Sequence, residues 1–148
     1  MKKILLILIL FGIAGLFSCS EDLTENPATR RIVNETEFAV RVEVFGDESN
    51  KFIYNIPERD SIDIEGICTS GVETYCDLGW ITSLAFGKIY FNDEKVQNFE
   101  GPSGDIDEKF INADPLGGGY GYVRSDEGGV QIYTYRITQE DYENAEPL

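Results

Sequence analysis

The 148-residue chain contains no histidine. That removes histidine general bases, Ser-His and Cys-His nucleophile pairs, and histidine-ligated zinc. Basic side chains are scarce, with 12 Lys and Arg against 27 Asp and Glu and a formal net charge of −15. A surface that acidic repels a phosphate backbone, so nucleic acid is excluded as a partner. There are 3 cysteines, 1 tryptophan and 1 methionine. The cysteines show no C-x-x-C spacing and are too few for a four-ligand zinc site. No apolar run reaches the roughly 20 residues that a membrane-spanning helix needs. What is present is a 42% hydrophobic chain, long enough for one domain with a core but not for two.

Met1-Lys2-Lys3 is a short basic start, and Ile4 to Phe17 is apolar apart from Gly12 and Gly15. This length fits the core of a signal peptide over residues 1–18. The run ends in Leu16-Phe17-Ser18-Cys19, a cysteine directly after a small residue and positioned for thioether lipidation. The segment resembles the lipobox of bacterial lipoproteins, with Cys19 as the acylated residue. Residues 19–31 are polar, acidic and interrupted by Pro27, which predicts a flexible tether. Within it, Ser20-Glu21-Asp22 is similar to the export signal of Bacteroidota-type lipoproteins. That resemblance implies an outer-membrane, lipid-anchored and surface-exposed protein whose membrane contact is the lipid. Asp60-Ser61-Ile62 resembles the O-glycosylation acceptor of the same group and makes Ser61 a candidate. In length and texture the mature part is similar to small lipoproteins of that group, a likeness that assigns no binding or catalytic residue.

From Ile32 onward the dominant period is two. Phe38–Phe45, Lys51–Ile56 and Ser61–Ile67 alternate between apolar and polar positions and predict three sequential antiparallel strands, a meander. Leu84–Phe91, with a bulge expected at Gly87, and Val96–Phe99 form a second hairpin across Asn92-Asp93-Glu94-Lys95. Tyr120–Arg124 and Val130–Ile137 pair across Ser125-Asp126-Glu127-Gly128-Gly129. Thr138 is a helix cap ahead of Glu140 and Asp141, so a short helix closes the chain. These elements predict an all-β domain over residues 32–148: an antiparallel two-sheet sandwich, immunoglobulin-like or jelly-roll, with a short C-terminal helix. Residues 32–148 hold 8 basic and 24 acidic side chains, a net −16. Self-repulsion on that scale predicts a monomer.

Cys68 and Cys76 flank a glycine-containing loop. In an oxidising compartment they read as a disulfide staple, the other reading being a free or regulatory pair. The glycines of Gly117-Gly118-Gly119-Tyr120-Gly121 lack the lysine of a phosphate loop and read as a hairpin approach needing positive φ. Asp105, Asp107 and Glu108 share a Gly/Pro-rich loop where alternate carboxylates can converge on calcium, the one cofactor considered; the other reading is a solvated acidic loop. Phe38, Phe52, Phe86 and Phe91 stand at strand spacing and are core candidates. Trp80, Tyr120 and Tyr122 are the aromatic candidates for stacking on a sugar or anchoring a protein, against a reading in which they plug and cover the sandwich.

No pair of carboxylates is singled out for catalysis, and no catalytic residue is assigned. The expectation is a non-enzymatic, lipid-anchored binding or structural module with a glycan or protein partner. The alternatives are a subunit or inhibitor acting by β-edge pairing and a small carboxylate-dependent hydrolase.

Overall fold

The computed structural model describes residues 24–47, 50–70, 75–77, 86–100, 109, 111 and 121–148. Ten strands and one helix follow in chain order: β1 (Thr24–Asn34), β2 (Val40–Asp47), β3 (Asn50–Ile56), β4 (Ser61–Ser70), β5 (Tyr75–Asp77), β6 (Phe86–Phe91), β7 (Lys95–Glu100), β8 (Tyr122–Glu127), β9 (Val130–Ile137), α1 (Gln139–Asn144) and β10 (Glu146–Pro147). They form two five-stranded sheets, β5-β4-β1-β9-β8 and β10-β7-β6-β2-β3. Among the described residues the pairings are antiparallel except that of β1 with β9.

One buried cluster draws on both sheets. Ala28, Ile32, Tyr133, Tyr135 and Ile137 come from the first, and Val40, Val42, Val44, Ile89 and Phe91 from the second. Alternation explains the contribution of β2: its valines at 40, 42 and 44 point to the core, leaving Arg41, Glu43 and Phe45 on the opposite face. Two hairpin turns use left-handed backbone, the three-residue loop between β6 and β7 and the two-residue loop between β8 and β9. Asn92 and Asp93 have φ of 50° and 55°, and Gly128 and Gly129 have φ of 64° and 88°. In the first of these turns Glu94 N donates to Phe91 O at 2.9 Å.

The expected tether is not a tether from residue 24 onward. Thr24 to Arg31 form most of β1, the middle strand of its sheet, which pairs with β4 from Thr24 and with β9 from Ala28. The hydrophobic period is hidden because two inward positions carry polar side chains: Arg30 and Asn34 are each 1% exposed. Pro27 is tolerated because it precedes the first residue paired with β9, where β1 is bonded on one side only. The folded part therefore gains Glu25, Arg30 and Arg31, which makes 10 basic against 25 acidic residues and a net −15 from Thr24 onward.

Three further expectations change. The meander stops after β3, because the break at Pro57–Asp60 carries the chain to the other sheet, where β4 pairs with β1. Registers of β6 with β2 and β7 run straight through Gly87, and the irregularity lies instead between Phe45 and Asp47. β8 extends to Glu127, so its turn shrinks to Gly128-Gly129.

The first two crossings between the sheets, β1 to β2 and β3 to β4, meet at Asn34. Its side-chain nitrogen donates to the carbonyls of Phe38 at 2.7 Å and Pro57 at 2.8 Å. Its side-chain oxygen accepts from the Thr36 hydroxyl at 2.7 Å and the Thr36 amide at 3.1 Å. The Asn34 amide donates to Asp60 O at 2.8 Å. The closing helix is pinned beside this corner. Asp141 accepts from Thr138 N at 2.7 Å in a capping box and from Lys109 Nζ at 2.6 Å, while Tyr142 stacks on Phe38 with ring centroids 4.2 Å apart. Burial, with Asp141 and Tyr122 adding to it, pushes the Tyr135 hydroxyl well above its ordinary pKa.

Two measurements check this architecture. Asn34→Ala leaves several buried groups unmatched and is expected to cost about 3 kcal/mol in denaturant unfolding; a change under about 0.5 kcal/mol overturns the corner's role. Deleting residues 24–31 is expected to abolish the cooperative melt, whereas loss of a mere tether leaves it unchanged.

Candidate functional site

The outer face of the second sheet brings aromatic and charged side chains together. Strand register lays it out as a grid. Tyr90, Arg41 and Asn55 form one row, Lys88, Glu43 and Ile53 the next, and Phe86, Phe45 and Lys51 the third. Asn98 on β7 continues the middle row opposite Lys88. With strands about 4.8 Å apart and same-face residues about 6.8 Å apart, the nine positions cover about 10 by 14 Å.

Glu43 is the centre of this face. Its side chain is only 5% exposed although it points away from the core. One oxygen lies 2.5 Å from Arg41 and the other 2.9 Å from Lys51. Arg41 also reaches Asp93 at 3.1 Å and lies over the Tyr90 ring, 4.0 Å from its centroid. Lys51 flanks the Phe45 ring at 5.9 Å. Phe45 and Phe86 stack with centroids 5.5 Å apart and planes at 24°. Phe86 is 40% exposed, so this ring, expected in the core, faces outward.

A depression sits at each end of the grid. One, of about 440 Å³, is lined by Arg41, Asn55, Tyr90, Asn92 and Asp93 among others. The second, of about 390 Å³, is lined by Phe45, Phe86, Gly87, Lys88, Asn98 and Phe99. Aromatic faces beside amide and charged groups suit ligands with an apolar face and a polar rim, as sugar rings have. Both oxygens of Glu43 are occupied by cations, so this carboxylate acts as a brace for the face.

The residues singled out by sequence reading fall elsewhere. Tyr122 is 6% exposed, and its hydroxyl donates to Ile111 O at 2.8 Å. Its ring lies 5.2 Å from that of Tyr135, so it is a core residue with no stacking surface to offer. Gly121 has φ of +81°, the left-handed backbone expected for the glycine run. Cys68, 2% exposed, stands directly opposite Cys76 in the β4–β5 register. Ser61 is exposed at the start of β4, and its amide donates to Asp60 Oδ1 at 2.8 Å. Cys19, Trp80, Tyr120, Asp105, Asp107 and Glu108 lie outside the described residues, as does the 1–18 segment. Among the described residues no group of three or more acidic or cysteine side chains is arranged to hold a metal, and no helix is long and apolar enough to cross a membrane.

The grid escaped sequence reading because it is assembled across three strands. One signal was visible: Phe45 falls on the polar face of its strand. Glu43→Gln retains the shape but removes the charge shared by Arg41 and Lys51. It is expected to lower stability by about 1–3 kcal/mol in denaturant unfolding, and an unchanged midpoint overturns the brace.

No protein-family model, curated protein or solved structure matches this chain.

Proposed function

We propose that this protein is a lipid-anchored envelope lipoprotein, outer-membrane and surface-exposed, that works as a non-enzymatic binding module for glycans. The observation that carries the binding reading is the outer face of the second sheet, where Tyr90, Phe45 and Phe86 stand among Arg41, Asn55, Lys88 and Asn98 between two open depressions. The lipobox-like Leu16-Phe17-Ser18-Cys19 supports the anchor, with the mature chain starting at Cys19. Thr24 is five steps along the chain from Cys19, a span of at most about 18 Å. The head then stands close to the bilayer, and the start of β1 is its membrane-facing end.

The scaffold is a β-sandwich of the immunoglobulin-like or jelly-roll kind, two layers over the shared core. A Cys68–Cys76 disulfide secures its first sheet. Directly opposed antiparallel residues have Cα atoms about 4.5–5.5 Å apart, inside the roughly 4.4–6.8 Å that a disulfide spans. The net charge of −15 favours a monomer. A second reading, pairing of a protein partner with a sheet edge, draws on β8, an edge strand whose Val123 is 63% exposed.

Two assays on the full chain test these statements. Cys19→Ala is expected to move the protein out of the membrane fraction, and unchanged retention overturns the anchor. On a glycan array the detergent-solubilised protein is expected to give signals that fall at least about tenfold in Phe86→Ala. No signal on any glycan, with a specific protein recovered by crosslinking on intact cells, favours the edge-pairing reading.

A further inference from the structure

We infer that the depression formed by Phe45, Phe86, Lys88 and Asn98 takes a carboxylated sugar residue, which makes the bound glycan an anionic one. The inference rests on the glycan-binding reading above and names its ligand class.

Charge distribution carries it. Acids outnumber bases 27 to 12 in this chain, so cations are readily matched. Arg31, Arg41, Lys51, Arg59, Lys109 and Arg136 each pair with a carboxylate. Lys88, Lys95 and Arg124 are in none of these pairs; Lys95 donates to Tyr142 O at 2.9 Å and Arg124 is exposed, whereas Lys88 is half-buried on the outer face. The reason Lys88 stays outside these pairs lies in its cross-strand neighbour. Glu43 is opposite Lys88 in register, but its two oxygens are taken by Arg41 and Lys51. Among the described side chains the ammonium of Lys88 is thus left without a carboxylate partner, beside an open depression of about 390 Å³.

Asn98, exposed and directly opposite Lys88, adds an amide donor on the neighbouring strand. One same-face step down the strand, the stacked Phe45 and Phe86 rings offer the apolar wall on which a sugar ring lies. A carboxylate presented to a lysine and an amide, on a ring backed by aromatics, meets each feature of this depression. The acidic position nearest on β7 is Glu100, in register with Phe86 and one same-face step away from Lys88. At the other end of the face the charge is already balanced, since Arg41 is held by both Glu43 and Asp93. That depression suits an uncharged unit of the same chain. Phe86 and Tyr90 are four residues apart, about 13 Å along the strand, so the two depressions accommodate a short oligosaccharide.

The test is calorimetric titration of the detergent-solubilised full chain with a uronic-acid oligosaccharide and with its carboxyl-reduced, neutral counterpart. The uronate is expected to bind at least about tenfold more tightly, with affinity falling as salt rises. Lys88→Gln is expected to erase that preference while keeping affinity for the neutral oligosaccharide. Asn98→Asp places a carboxylate opposite Lys88, which neutralises the lysine and repels the ligand's own carboxylate, and is expected to weaken the uronate alone. Phe86→Ala is expected to weaken both ligands, with a thermal melt of each variant confirming folding. Equal affinity of the wild type for the two ligands, or an unchanged preference in Lys88→Gln, overturns the anionic assignment and leaves glycan binding standing. Absence of binding to either oligosaccharide, and to any glycan on the array, overturns the glycan reading itself. Binding to anionic vesicles with no oligosaccharide preference overturns both in favour of a membrane contact.

Discussion

The polar corner at Asn34 and Thr36 is the constraint on which the two-layer arrangement depends. The chain passes between the sheets twice in the first 61 residues, from β1 to β2 and from β3 to β4, and both passages run against this side chain. Asn34 and Thr36 are 1% and 0% exposed, so every donor and acceptor they bring must be matched inside the protein. They are matched by one another and by the carbonyls of Phe38 and Pro57. A buried network of this kind tolerates one arrangement and penalises slipped ones. It fixes where β2 starts, and hence which face of β2 carries Arg41, Glu43 and Phe45.

A second constraint is the shortage of cations. With few bases against many acids, two of the described arginines do double service. Arg31 bridges Asp63 with two parallel contacts, at 2.8 and 2.9 Å, and Glu127 with a third at 3.2 Å. The hydrogen bonds from Arg31 hold the Asp63 carboxyl below its usual range. Arg41 serves Glu43, Asp93 and the Tyr90 ring. In the brace at Glu43 the ratio is reversed, with one carboxylate between two cations. That reversal makes the outer face of the second sheet different from the rest of an acidic surface.

Much of the strand inventory is legible in the sequence because half-buried strands write a period of two. β9 runs over the expected Val130–Ile137, and Thr138 caps α1 as its position suggested. β1 is not legible, since its inward positions include Arg30 and Asn34, residues whose burial depends on partners elsewhere in the fold. The sheet to which β4 belongs is not legible either, because alternation marks faces and says nothing about neighbours. Phe86 shows the same limit: its spacing matched a core strand, yet register with Phe45 places it outside. Tyr122 erred in the opposite direction, its ring buried against Tyr135 and its hydroxyl satisfied by Ile111.

Sequence alone therefore determined the absence of histidine chemistry, the acidic character and the strand-rich texture. Each follows from residue identity or from local periodicity, and none of the three needs contacts between distant segments. Tertiary structure decided which strands are neighbours, that residues 24–31 belong to the fold, and that Arg41, Glu43, Phe45, Lys51, Phe86, Lys88 and Tyr90 share one face. That decision rests on register between strands far apart in the chain, set by hydrogen bonds and by buried groups that must be satisfied. A period of two says which side chains can face together; only pairing says which of them do.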